Sequence, residues 1–192
     1  MKSKSTKPRY KTLCPSLPLT TRIKEGLPRL ILDRLPENQQ LTDSGWCKVL
    51  DSQGGFLRWG VVDMFNNAMH LISSSEKDPH IDFASRVEDA INKRSELKIS
   101  EGEVIRLVNG TGDNLSGFTL DSYGSTLILS LESFLLADMV DYNLHKVMAT
   151  LNPEHIVLKI REKGRKVKGK LQERTLLGIP TEEKIRVQES EI

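Results

Sequence analysis

Between Leu27 and Ile72 the apolar positions fall in short bursts separated by polar and turn-forming residues: 30–32, then Trp46, Val49 and Leu50, then 56–62, then 69–72. Runs of that length, bounded by Gly, Pro, Asn and Asp, are the pattern of strands. The stretch KVLDSQGGFLRWGVV sets 51–55 between two apolar runs. Glycines there supply the positive φ of a tight turn, so a β-hairpin is expected. The polar run 73–80, with Pro79 in it, reads as a boundary between two small domains.

Beyond it the period changes. Phe83, Val87, Ala90, Ile91 and Leu97 recur at helical spacing, and Ser85 with Glu88 has the form of a capping box near the helix start. Segments 104–108, 117–120 and 126–131 are strand-like, with turn signals at Gly110, Gly112, Asp113, Asn114 and 122–124, so three antiparallel strands follow. Leu136, Met139, Val140, Leu144, Val147, Met148 and Leu151 share one helical face, and Asn152-Pro153 stops that helix. HIVLKI from His155 predicts another strand, and EKIRV from Glu183 a last short one. The fold class expected is α+β.

A chain of 192 residues holds one ordinary domain or two small ones. With 38% hydrophobic and 28% charged residues it can bury a core, and no apolar run is long enough to span a bilayer as a helix, so no membrane partner is expected. Two cysteines, Cys14 and Cys47, make neither a disulfide scaffold nor, with His70, His80, His145 and His155 scattered, a zinc site. Free thiols in a reducing compartment, and no metal, are the expectation. The cytoplasm fits. An organelle, plastid or mitochondrion, is the alternative, because the region up to Pro18 is rich in Lys, Ser and Thr and poor in acids.

The net charge of +2 conceals segregation. Residues 1–29 carry a net +7, 30–158 a net −9, 159–174 a net +6 and the remainder −2. Two cationic stretches flanking an acidic middle are an electrostatic footprint for a polyanion. Lys and Arg at phosphates would bind nucleic acid through counterion release. Residues 1–20 are expected to be a basic, floppy tail.

Complete catalytic constellations are missing. The glycines at 110 and 112 are followed by Gly117 and a strand rather than by a helix, so they fail the dinucleotide test and are expected to shape a hairpin. Cys14-Pro-Ser16 offers a thiol and a hydroxyl with no base fixed near them.

The segment RLVNGTGDNLSGFTLDSYGSTLIL, through Arg106, Gly112, Asp113, Leu115, Gly117, Asp121, Tyr123 and Gly124, resembles the ribosomal RNA cytosine-C5 methyltransferases of the large-subunit methyltransferase I type. DSQGGFLRWGVVD is similar to the hairpin of that family's N-terminal PUA domain, and DFASRVEDAINKR to the helix that opens its central domain. The likeness covers about residues 23–187. It implies a small PUA-like, RNA-binding β-barrel over 21–75, followed by a central α/β module over 80–192. In the family a further Rossmann-like domain carries the S-adenosylmethionine loop and a cysteine motif. Neither Cys14 nor Cys47 matches that motif, so no catalytic or cofactor residue carries over.

The expectation is therefore an RNA-binding, non-catalytic front portion of such a methyltransferase, with ribosomal RNA as partner and a catalytic domain or a second copy as further partners. S-adenosylmethionine is expected only for the missing domain. Arg22, Lys24, Arg29 and Arg58, with Lys163, Arg165, Lys166, Lys168 and Lys170, are the expected phosphate contacts. The alternatives are an active methyltransferase holding the cofactor at the 110–117 turn, and a module that docks a separate catalytic domain.

Overall fold

The computed structural model describes residues 10–94 and 104–160, and the backbone of a strand at 172–177. In chain order the elements begin with strand β1 (Lys11–Leu13), helix α1 (Leu17–Lys24), β2 (Arg29–Ile31), β3 (Gly45–Leu50), β4 (Phe56–Asp63) and β5 (Ala68–Ser73). Helix α2 (Pro79–Asn92), β6 (Val104–Asn109), β7 (Phe118–Tyr123) and β8 (Thr126–Leu131) follow. Helix α3 (Tyr142–Ala149), β9 (His155–Ile160) and β10 (Gln172–Leu177) complete the described elements. The class is mixed α+β, built on two five-stranded sheets.

The first sheet runs β1-β3-β4-β5-β2 and is open. A closed barrel was expected here. Its edges are β1 and β2, each only three residues long, and they pair with β3 and β5 rather than with each other. Helix α1 packs against this sheet at β4, burying Ile23 in one core with Leu13, Leu30, Val49, Val62, Met69 and Leu71. Residues 11–20, assigned from sequence to the floppy tail, hold β1 and the first half of α1. Leu13 is the reason, because in register with Val49 it extends the apolar face of β3. The β3–β4 hairpin forms as expected. The Asp51 amide donates to the Gly55 carbonyl at 2.8 Å, the Asp51 carboxylate accepts from the amides of Gln53 and Gly55, and Gly54 takes φ +82°.

The second sheet runs β10-β9-β8-β7-β6, with only the β8–β9 pair parallel. Strands β6, β7 and β8 form the antiparallel meander read from the sequence. The crossover from β8 to β9 differs from its reading. One helix was expected over 136–151, but a 3-10 helix at Phe134–Met139 is followed by a break at Val140 and Asp141 before α3 begins. Asp141 is extended and its carboxylate accepts the Leu144 amide, so it acts as an N-cap that starts a new helix. The apolar stripe survives the break because Leu136, Met139, Leu144, Val147 and Met148 all reach the same core.

Helix α2 also starts earlier than the Ser85–Glu88 pair suggested. Asp78 caps the amides of His80 and Ile81, and Pro79 occupies the first turn, where its missing N–H costs nothing. Leu97, the EKIRV segment and the basic run 163–170 lie outside the described residues. Val61 and Ile72 of the first sheet are buried in the core formed by α2, α3 and the second sheet. The two sheets thus share apolar surface across their junction.

Candidate nucleic-acid interface

Ile23 fixes how α1 presents its cations. Its side chain is fully buried, and successive helical residues are about 100° apart, so Arg22 and Lys24 leave on opposite flanks of the helix. Lys24 enters a cavity of about 280 Å³ lined by Ile23, Phe56, Leu57, Arg58 and Ser74. Arg22 is exposed and is not among the lining residues. The β3–β4 ladder is irregular between Val49 and Leu50, and Arg58 lies opposite Val49 while Phe56 lies opposite Leu50. That irregularity helps to aim Phe56, Leu57 and Arg58 into one depression.

Arg58 is half-buried. Desolvation lowers its pKa, the nearby Arg86 guanidinium lowers it further, and Asp82 opposes both. Asp82 is already held by Arg86 at 2.9 Å, and Arg86 also donates to the Ser74 hydroxyl at 2.8 Å. Among the described residues, no acceptor lies within hydrogen-bonding distance of Arg58, and neither Arg58 nor Lys24 is in an ion pair. None of the Arg58 nitrogens is both buried and unpartnered, so the head group keeps water contact and can offer an anion charge-assisted hydrogen bonds.

Phe56 sits at the end of an aromatic cluster. Trp59 is the hub, with ring centroids 4.7 Å from Tyr10, 5.9 Å from Trp46 and 6.0 Å from Phe56. The Lys48 ammonium stands 4.9 Å from the Trp59 centroid and 5.9 Å from that of Phe56, and pairs with Glu76. Sequence reasoning singled out Lys24 and Arg58 but missed Phe56, Ser74 and Arg86. The hairpin pattern placed Phe56 without showing which way it faced, and Arg86 signalled itself only by its spacing of four from Asp82.

The structure places Arg29 elsewhere. It lies at the junction between the sheets, 3.4 Å from Glu132, away from the cavity. The same junction holds His70, whose Nδ1 is 3.0 Å from the Ser116 hydroxyl, and Asp63, which accepts from Asn66 at 2.6 Å. Burial, then Arg29, push the His70 pKa down, against the opposite pull of Glu132 and Asp63. Burial raises the Asp63 pKa, but hydrogen bonds from Ser133 and Asn66 outweigh it, and the net direction is down. The remaining candidates, Lys163, Arg165, Lys166, Lys168 and Lys170, lie outside the described residues.

The glycine-rich 110–117 turn is filled by the chain's own packing. Asp113 accepts the Asn109 amide at 2.6 Å and pairs with Arg94 at 3.0 Å, while Leu115 is buried. Gly117 has φ +79°, and a Cβ there would come within 2.7 Å of both His70 and Leu136. This turn is where the active-methyltransferase alternative would hold S-adenosylmethionine. The Asp113 carboxylate of the turn faces Arg94, and Gly117 gives close contact with His70. The other signature pair, Arg106 and Asp121, forms a two-pronged ion pair across β6 and β7 at 2.8 and 3.2 Å.

No protein-family model matches the chain, and a search of curated proteins finds no match. Solved structures do match. One, described as "a putative sam-dependent methyltransferase from Streptococcus mutans", superposes with a TM-score of 0.68 at 19% identity over 89% of this chain. Another, described as "a putative methyltransferase complexed with SAH", gives 0.62 at 18% identity over 82% of this chain. At these identities the likeness establishes a shared fold. The chain spans 44% of the length of each of these structures.

Proposed function

We propose that this chain is the RNA-recognition portion of a methyltransferase-like protein, gripping structured RNA, ribosomal RNA by the family resemblance, at the Lys24–Arg58 cavity. The observation that carries the reading is Arg58: half-buried, beside Arg86, with no acceptor within reach among the described residues. Lys24 adds a second cation at the same cavity. Two cations at a concave, partly apolar surface suit a phosphodiester whose sugar and base also need a surface to lie against. Supporting the methyltransferase context are the shared fold with structures described as methyltransferases and the signature from Arg106 to Gly124. In this reading the chain contributes recognition, while methyl transfer would belong to parts of a longer architecture such as those structures possess.

Fluorescence anisotropy of a structured ribosomal RNA fragment, titrated with the 192-residue chain, tests the proposal. Binding that weakens steeply as salt rises is expected; absence of binding at low salt refutes it.

One observation favours a second reading, a docking face for a separate catalytic domain. Phe65 is 88% exposed and Phe134 59% exposed, and their neighbours Asn66 and Glu132 touch across the junction. Exposed aromatic rings so placed suit a protein partner. Replacing both with Ser would abolish co-purification with such a domain while leaving RNA affinity unchanged.

A further inference from the structure

The junction between the two sheets holds an ionisable ring that RNA binding leaves without a task. His70, in β5, is fully buried, and so is Ser116, whose hydroxyl its Nδ1 meets at 3.0 Å. Gly117 brings the turn so close that an added Cβ would stand 2.8 Å from the same nitrogen. The other ring nitrogen, Nε2, is buried and has no hydrogen-bond partner among the described residues. Arg29 stands directly opposite His70 in the β2–β5 ladder, so the two side chains share one face of the sheet, and the Arg29 Nε is likewise buried without a partner there.

That arrangement selects a protonation state. Were the ring proton on Nε2, two buried donors on directly opposed residues would both lack an acceptor. A proton on Nδ1 is given to Ser116 instead and leaves Nε2 as an acceptor, which costs less. A second proton removes this solution. It must sit on Nε2, and it sets an imidazolium opposite a guanidinium, where like charges on a strand pair are destabilising. The charged groups around the ring are Arg29 from β2, Asp63 from β4 and Glu132 from the segment after β8; the 116–117 turn brings none. The two carboxylates attract the proton, but each is already engaged, Asp63 with Asn66 and Ser133 and Glu132 with Arg29. We propose that His70 is an acid-operated latch: with one proton, on Nδ1, it holds the 116–117 turn of the second sheet against the first, and with two it lets that turn go. The direction is towards acid because the closed, buried ring favours the neutral form, whereas an opened and hydrated ring titrates near the ordinary 6.5. From about pH 6.5 down to the lower pKa of the closed ring, opening takes up one proton, so its equilibrium constant rises about tenfold per pH unit.

Native-state hydrogen exchange on the full chain, followed by NMR from about pH 7.5 to about pH 5 and corrected for the intrinsic rate at each pH, reads that opening. The amides of Leu115, Phe118 and Glu132, which bond within and beside the turn, should lose protection by about tenfold per pH unit below about pH 6.5. At each pH they should also be less protected than the β3–β4 ladder, the mark of a local opening rather than global unfolding. His70→Gln should abolish the pH dependence at the turn. Ser116→Ala should lower protection there at every pH and leave the dependence intact. Should either variant fail to fold, the wild-type ring still decides: long-range proton–nitrogen NMR spectra must show the proton on Nδ1 at about pH 7.5 and a titration midpoint below 6.5. A ring proton on Nε2 overturns the proposal. So does turn protection that is independent of pH, or equal to that of the β3–β4 ladder throughout.

Discussion

The Nδ1 atom of His70 lies 3.0 Å from the Ser116 hydroxyl, and this contact joins the first sheet to the turn that leads into β7 of the second. His70 is fully buried and its Nε2 has no partner among the described residues. The charged groups facing it are Arg29 from β2, Asp63 from β4 and Glu132 beyond β8. Its pKa is depressed from 6.5, first by burial and then by Arg29. The unfolded chain therefore takes up this proton at a higher pH than the folded one does. Stability is full above about pH 6.5 and declines as pH falls towards the folded pKa. Asp63, depressed from 3.8, adds a second loss as pH falls below that value. Urea denaturation at stepped pH should show the first decline in wild type and its absence in His70→Gln.

Gly117 fixes how closely the turn approaches His70. Its φ of +79° disfavours any side chain, and an added Cβ would meet the imidazole at 2.7 Å. Gly117→Ala should cost about 1–3 kcal/mol, seen as a lower urea midpoint with an unchanged slope.

The two signature carboxylates should differ in weight. Asp113 is 8% exposed at its side chain and serves both Arg94 and the Asn109 amide. Asp113→Ala leaves a donor and a cation without their acceptor, at a cost of about 3 kcal/mol. Asp121 pairs with Arg106, whose side chain is 52% exposed and can return to water. Asp121→Ala should therefore cost only about 1 kcal/mol, and chemical denaturation of the two variants should give that order.

The cysteines should react on different timescales. Cys14 is exposed, whereas burial pushes the Cys47 thiol up to about 12 despite the opposing charge of Lys11. Iodoacetamide at pH 8 is expected to modify one thiol per folded chain and two in denaturant, by mass spectrometry.

Much of this was legible in the sequence where a local signal and the packing agree. The Asp51–Gly55 turn needed only its glycines and one carboxylate, and the meander of β6, β7 and β8 followed from apolar runs between turn residues. Where a non-local contact decides, the pattern failed. Apolar spacing alone joined Leu136 to Leu151 in one helix, because the cap that Asp141 places on Leu144 interrupts the backbone without disturbing the stripe. Likewise β1 was invisible, since three residues gain strand form only by pairing with β3. Of the phosphate contacts expected from sequence, Lys24 and Arg58 share one depression, while Arg29 pairs with Glu132, which lies 103 residues away in the chain. No local signal reports such a pairing.

The claim that Lys24 and Arg58 meet phosphates is tested most directly by the salt dependence of RNA affinity, compared between wild type and the double variant Lys24→Ala/Arg58→Ala. Each lost phosphate contact lowers the slope of log affinity against log salt by about 1. A slope shallower by about 1, for the one phosphodiester the two cations share, with the fold intact by circular dichroism, is the predicted result. An unchanged slope would contradict the account.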